Sequence, residues 1–323
     1  MHKNDSIASG NEQVALRFAL GRYRLRFEGS HSGGTDKYLG SAWRGLFGLA
    51  LNRLVCVTKC ERCEPCMLYR SCVYPYVFET PPPPEAVKHR DYPAVPHPFV
   101  LDLPFGEAER DGTRSVGLTL IGRADMFVAY AVHAFRMAGE QGLRSVTGPL
   151  ALVDVEQEEE PGSGRWAGIL EGESLKPMRS RVPPVPQCPN GAVVHFSTPL
   201  RLRILDEYVS ADRFRFSHLF SNLLRRLSLL TYFHTDCPLE TSFGDLVERS
   251  KLIETPNSNL KWRDWTRYSS RQRKHLQMGG LTGSITLEGD HAPFWPYLWV
   301  GQFVHTGKGT SMGLGRYDIQ SGR

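Results

Sequence analysis

The chain has 323 residues, of which 41% are apolar and 11% aromatic, and its net charge is +5 at pH 7. Because this length exceeds what one hydrophobic core usually holds, we expect an ordinary globular protein with two domains. No run approaches the roughly 18 apolar residues that span a bilayer, and the polar start MHKNDSIASGNEQ lacks a signal-peptide core, so we expect a cytoplasmic protein without a membrane partner.

In the N-terminal half, alternating apolar residues predict strands and apolar residues at helical spacing predict helices. In chain order, the predicted elements are a strand at 14–27, a helix at 38–55, a strand at 114–122, a helix at 124–142 and a strand at 150–156.

The C-terminal half has a similar order. It contains a predicted strand at 192–204, a helix at 216–234, strands at 283–289 and 299–305, and a final strand in GRYDI. The order strand, helix, strand occurs twice in succession, as it does in the ferredoxin-like split βαβ unit. The sequence therefore predicts an α+β fold of two tandem ferredoxin-like units. The proline-rich stretch 176–191 follows an acidic run, so we place the domain boundary there, with domains at 1–185 and 186–323.

A glycine-rich loop, HTGKGTSMGLGRY at residues 305–317, precedes the final strand. A nucleotide-binding Walker motif is excluded because Gln302 stands where its first glycine belongs and Gly309 follows the lysine. A dinucleotide fingerprint is excluded because Met312 replaces its third glycine and only eight residues follow Gly315.

Two interpretations of the glycine-rich loop remain. The glycines could serve only the geometry of a tight turn. Alternatively, exposed backbone N–H groups and polar side chains could bind the phosphates of a nucleic acid. The predicted binding residues are Gly307, Gly309, Gly313, Gly315, Lys308, Thr310, Ser311 and Arg316.

Five cysteines crowd into one short segment, at Cys56, Cys60, Cys63, Cys66 and Cys72. Four thiolates can close a tetrahedral site, which predicts a structural zinc ion. An iron–sulfur cluster is an alternative, because Cys60, Cys63 and Cys66 have ferredoxin-like spacing, and a segment without metal is another. The spacing alone leaves the choice of four ligands open.

The segment WRDWTRYSSRQRKH at 262–275 interleaves aromatic and basic residues. Aromatic rings can stack unpaired bases and arginines can hold phosphates, whereas the alternative is that the tryptophans only anchor the segment in the core. Arg263, Arg267 and Arg271 are four residues apart, which predicts one helical face with a common anionic target.

From Cys188 onward the chain has 17 Lys and Arg against 12 Asp and Glu, a bias that suits nucleic acid.

Several motifs together resemble the CRISPR precursor-crRNA processing endoribonucleases of the RAMP superfamily, in the subfamily with a cysteine cluster. They are RGLFGLALNRLVC with the cysteines after it, LIGRAD at 120–125, FSTPLRLR at 196–203, WRDWTRYSSRQ at 262–272, GGLTGSITLEG at 279–289 and the glycine-rich loop.

The resemblance implies two ferredoxin-like, RRM-related domains, with a cysteine-rich metal-binding insertion at 56–100 and an RNA-binding glycine-rich loop. It further implies Cys56, Cys63, Cys66 and Cys72 as ligands, with Cys60 spare. The implied partners are CRISPR repeat RNA and other subunits of an effector complex.

RNA can be cut without a catalytic metal, because its own 2′-OH attacks the phosphate while protein groups move protons and stabilise charge. The resemblance implies an active site between the first domain's opening loop and the glycine-rich loop. The candidate catalytic residues are His31 and Tyr38 on one side and His305 and Lys308 on the other. The alternatives are a non-catalytic RNA-binding subunit and a metal-dependent nuclease.

Overall fold

A computed structural model describes residues 18–31, 38–82, 95–103, 113–143, 147–269 and 274–322. The described residues form two larger antiparallel sheets, each with helices packed against it, and three two-stranded hairpins, so the predicted α+β class is confirmed. In the described part of the chain, no helix has both the length and the apolar character needed to cross a membrane.

The N-terminal sheet has five strands in the order β2-β3-β1-β4-β5, and each neighbouring pair is antiparallel. In chain order the elements are β1 (Leu20–His31), α1 (Gly40–Val55), α2 (Val73–Phe78), β2 (Phe99–Asp102), β3 (Thr113–Ile121), α3 (Val128–Gln141), β4 (Thr147–Glu158) and β5 (Trp166–Gly168). Strands β1 to β4 with α1 and α3 have the ferredoxin-like order. Phe27, Trp43 and Phe135 are among the side chains of its core.

The C-terminal sheet repeats this plan in the order β11-β14-β8-β15, and two-stranded hairpins lie before and beside it. In chain order the elements are β6 (Leu170–Glu171), β7 (Ser174–Leu175), β8 (Ala192–Leu200), β9 (Arg203–Ile204), β10 (Glu207–Tyr208), α4 (Phe216–His234), α5 (Phe243–Ser250), β11 (Lys261–Arg263), β12 (Thr266–Ser269), β13 (Lys274–Gln277), β14 (Gly280–Leu287), α6 (Trp295–Val304) and β15 (Tyr317–Ser321).

The predicted strand at 299–305 is wrong, because residues 295–304 form helix α6. This helix is buried on most of its faces, so its sequence WPYLWVGQFV is almost entirely apolar and shows no polar side with helical spacing. Its buried residues include Trp295, Leu298 and Val304.

The predicted helical face of arginines is also wrong. Arg263 ends β11, which pairs with β14, and Arg267 lies in β12, which forms a hairpin with β13. Arg271 lies outside the described residues. Residues four apart share a face only within one continuous strand or helix, and Arg263 and Arg267 belong to two different strands, so their spacing does not establish a common face.

The two halves are joined through the hydrophobic core of the C-terminal half. Phe18, Leu20, Val100 and Ile121 of the N-terminal half pack in the same cluster as the buried residues of α4 and α6. Leu20 also forms a β-bridge with Arg181. The boundary between residues 185 and 186 remains a prediction.

Candidate functional site

The glycine-rich loop connects α6 to β15 and contains a 3-10 turn at Thr310–Met312. All four of its glycines have φ between 70° and 88°. A Cβ atom at Gly315 would lie 1.7 Å from the Thr306 carbonyl oxygen, and one at Gly313 would lie 2.2 Å from the Tyr38 hydroxyl. The loop therefore needs glycine at these positions both for backbone conformation and for space.

Hydrogen bonds fix the loop on the end of β8 and on α4. The Thr198 hydroxyl donates to the Gly313 carbonyl at 2.9 Å and accepts from the Arg316 N–H at 2.9 Å. The Lys308 N–H donates to the Arg201 carbonyl at 3.0 Å, and the Gly307 N–H donates to Asn222 Oδ1 at 3.1 Å.

Because of these bonds, fewer backbone N–H groups of the loop are free to bind phosphate than the sequence predicts. The N–H groups of 312–315 also donate within the loop or to Pro199. The N–H groups of residues 309–311 find no acceptor among the residues that the structure describes. Phosphate contacts by the loop would therefore rely on side chains, above all on Lys308, which is exposed and has no ion pair in the described part of the chain.

The loop docks on the N-terminal half at the start of α1 and at the end of β2. The Tyr38 hydroxyl donates to the Met312 carbonyl at 2.7 Å. Arg316 Nη1 lies 2.6 Å from Asp102 Oδ1. Tyr38 and Asp102 thus connect the N-terminal half to the loop.

Burial raises the pKa of Tyr38 strongly, and the negative charge of Asp102 adds to this shift. Its ring also makes an edge-to-face contact with Trp265, with 5.5 Å between the ring centroids. A hydroxyl held in this way keeps its proton, so the placement favours a positioning role for Tyr38 over proton transfer.

His305 lies beneath the loop and is only 2% exposed. Burial lowers its pKa well below the ordinary value, and the charges of Arg316 and Arg226 lower it further. It is a non-glycine residue with a φ of 57°. A general base must exchange protons with substrate or solvent, so this placement weighs against the predicted catalytic role of His305.

His31 is the last residue of β1, and its side chain lies outside the described residues. It precedes Tyr38 by seven positions in the sequence. Its catalytic role remains a prediction.

Residues of β11 and of the segment after it line an open cleft together with Arg201 and Tyr208, neither of which was predicted as a site residue. Trp262 is 39% exposed at the cleft, so it is not an anchor in the core. Arg201 directly follows β8, and contacts with Tyr208 and Met278 hold its side chain in the wall of the cleft. No local sequence pattern reveals these contacts.

The five clustered cysteines line a single small cleft between the end of α1 and the start of α2. Their thiols are free, and the Thr58 hydroxyl lies 3.3 Å from Cys66 Sγ. Burial and the nearby Glu79 raise the pKa of Cys63 to about 12. As the side chains stand, the described residues include no group of three or more His, Cys, Asp or Glu placed to hold a metal ion.

Two family models match the chain. The N-terminal domain model AF_1859_N matches residues 16–182, and the model for the CRISPR-associated endoribonuclease Cas6 matches residues 194–317, which include the whole glycine-rich loop. A comparison with curated proteins gave no match.

Solved structures show the same fold. A Cas6 (TTHB231) product complex has a TM-score of 0.57 at 17% identity, covering 93% of this chain and 100% of that one. A Cas6 (TTHA0078) product complex has a TM-score of 0.52 at 18% identity, covering 94% of this chain and 100% of that one. Thermus thermophilus Cas6 (TTHB231) has a TM-score of 0.52 at 17% identity, covering 94% of this chain and 99% of that one.

Proposed function

Because the chain belongs to the CRISPR-associated endoribonuclease Cas6 family, with an N-terminal domain of the AF_1859_N family, we propose that it cleaves precursor CRISPR RNA within the repeat. The observation that carries this proposal is the docking of the glycine-rich loop, with the exposed Lys308, on the start of α1. The RNA would lie over this junction. The processed RNA would then pass, still bound, to other subunits of a CRISPR effector complex.

The proposed reaction needs no catalytic metal. A general base takes the proton of the 2′-OH, the 2′ oxygen forms a bond to phosphorus, and the bond to the 5′ oxygen breaks as that oxygen gains a proton. The products are a 2′,3′-cyclic phosphate and a 5′-hydroxyl. Lys308 stabilises the charge that develops on the phosphate, Tyr38 holds the loop, and His31 is the proposed base.

Cleavage of the cognate repeat RNA in the presence of EDTA tests the function. We expect one cut per repeat, and a single 2′-deoxy substitution at the cut site should abolish it. Tight binding without cleavage at any pH would favour the non-catalytic RNA-binding subunit instead. Inhibition by EDTA of a protein that remains folded would favour a metal-dependent nuclease.

A structural zinc ion in the cysteine cleft is a separate proposal, with Cys56, Cys63, Cys66 and Cys72 as ligands. All four line the same cleft, and thiolate is a preferred donor for zinc. Bringing four thiolates onto one ion would require new side-chain rotamers in this exposed segment. The ion would order residues 56–72, and an iron–sulfur cluster is the alternative occupant.

A further inference from the structure

A second cleft opens beside the glycine-rich loop and has no part in the proposed cleavage step. Its volume is about 510 Å³, and it lies between the end of β8, β10 and the segment that surrounds the β12–β13 hairpin. This volume falls in the range of sites that hold one small ligand. Three features of its walls indicate what that ligand is.

The first feature is a buried positive charge without a counter-charge. Arg201 is 6% exposed and forms no salt bridge with any described residue. Its guanidinium donates to the Tyr208 hydroxyl at 2.7 Å and to Met278 Sδ at 2.9 Å, and its Nε has no partner. These partners are neutral, and a buried unpaired charge is costly, so an anionic ligand at this cleft would offset that cost.

The second feature is an aromatic surface. Trp262 and Tyr208 are each 39% exposed, with their ring centroids 6.3 Å apart. The Arg201 guanidinium lies 4.7 Å from the centre of the Tyr208 ring. Exposed aromatic rings next to a cation are typical of sites that stack unpaired bases.

The third feature is the pattern of hydrogen-bonding groups on the wall. Asp264 and Gln277 are both exposed there. Asp264 Oδ1 accepts from Trp262 Nε1 at 2.8 Å, which fixes the carboxylate beside the indole ring. Among the four bases, guanine alone presents two adjacent N–H donors to a carboxylate, together with a carbonyl that an amide can meet.

We propose that this cleft binds one unpaired guanosine nucleotide of the RNA, with the base stacked on Trp262, its N–H donors on Asp264 and its phosphate near Arg201. This rests on the proposed function, since the ligand is part of the same RNA. The Arg201 carbonyl accepts from the Lys308 N–H at 3.0 Å, so the bound nucleotide lies next to the glycine-rich loop. Its capture sets the register of the cut.

Fluorescence anisotropy with the full chain tests the proposal. The probes are short labelled oligouridines with one central guanosine, inosine or adenosine, titrated at a fixed salt concentration. The guanosine probe should bind about tenfold more tightly than the other two, because inosine lacks the exocyclic amino group that donates to Asp264.

Two variants and a control sharpen the test. Asp264→Asn should remove the preference for guanosine, and Trp262→Ala should weaken binding of every probe by about tenfold. Phe243→Ala should change neither the preference for guanosine nor the affinity for the probes. Phe243 is a similarly exposed aromatic residue, at 37%, but it lies on α5 outside the cleft.

Equal affinity for the guanosine and inosine probes, or an unchanged preference in Asp264→Asn, would overturn the proposal. Cleavage of the cognate repeat is measured separately on the same preparation. Guanosine preference without cleavage would contradict the nuclease function alone, and cleavage without guanosine preference would contradict the role of the cleft alone.

Discussion

The hydroxyl of Tyr38, two residues before α1, donates a hydrogen bond of 2.7 Å to the Met312 carbonyl in the glycine-rich loop. This bond joins the N-terminal half to the loop that carries Lys308. The Tyr38 hydroxyl also occupies the space that a side chain at Gly313 would need. The two halves therefore hold the proposed RNA-cleaving surface between them.

Removal of this hydroxyl should loosen the loop. We expect Tyr38→Phe to lower the free energy of unfolding by about 1 kcal/mol, because one partly buried hydrogen bond is lost while the ring is kept. Cleavage should slow by about tenfold, since Lys308 is held less firmly. Urea unfolding and single-turnover cleavage check this, with the exposed Tyr130→Phe as a control that should behave as the wild type.

Two glycines allow the effect of backbone conformation on stability to be measured apart from the effect of a steric clash. Gly315 and Gly164 have nearly the same φ, 70° and 69°, but a Cβ atom would meet the Thr306 carbonyl oxygen only at Gly315. Gly164→Ala should cost about 1 kcal/mol of stability, and Gly315→Ala should cost several kcal/mol and abolish cleavage. Equal losses of stability in the two variants would contradict the described packing of the loop.

Buried histidines should make the protein sensitive to acid. Burial lowers the pKa of His97 to about 3 and that of His234 to about 4, and it lowers the pKa of His305 as well. Each stays neutral in the folded state, whereas in the unfolded chain each titrates near 6.5. Their stabilising contribution is therefore complete above about pH 6.5 and is lost as the pH falls toward the folded pKa values.

The free energy of unfolding should then fall by about 1 kcal/mol per buried histidine for each pH unit below about 6. Urea unfolding between pH 7.5 and pH 5 measures this slope. His305→Asn, which suits the positive φ, should reduce the slope and retain cleavage, whereas the exposed His133→Gln should leave the slope unchanged. Loss of cleavage in a folded His305→Asn protein would restore His305 as a catalytic candidate.

Metal analysis decides the occupant of the cysteine cleft. Purified protein should contain about one zinc ion per chain, and Cys63→Ser and Cys72→Ser should reduce the zinc content and the thermal stability. Cys60→Ser is the matched control, because it removes a thiol that lines the same cleft but is not a proposed ligand. Wild-type protein without metal, or equal zinc loss in Cys60→Ser, would refute the proposed ligand set.

The sequence predicts the longer elements, which are α1, α3, α4, β1, β3, β4, β8, β14 and the final strand β15, because their buried faces follow simple periods. Helix α4 has the predicted bounds, and α1 is two residues shorter than predicted. Helix α6 was predicted as a strand, since burial on most faces erases the contrast between apolar and polar residues that reveals a helix.

The site was predictable only in part. Glycine spacing identified the loop and Lys308, since these residues are contiguous in the chain. The burial of His305 depends on Arg226 of α4, whose Nε donates to the His305 carbonyl at 3.1 Å, and Arg201 reaches its cleft through tertiary packing. Such contacts between distant segments leave no local pattern.

Single-turnover cleavage of the cognate repeat by Lys308→Ala tests most directly the claim that RNA is cut at the glycine-rich loop. We predict a rate lower by about 10²-fold with RNA affinity within about tenfold of the wild type, because Lys308 stabilises charge that develops during the reaction. Lys251→Ala, an exposed lysine that follows α5, should cleave normally. A Lys308→Ala rate equal to that of Lys251→Ala would contradict the account.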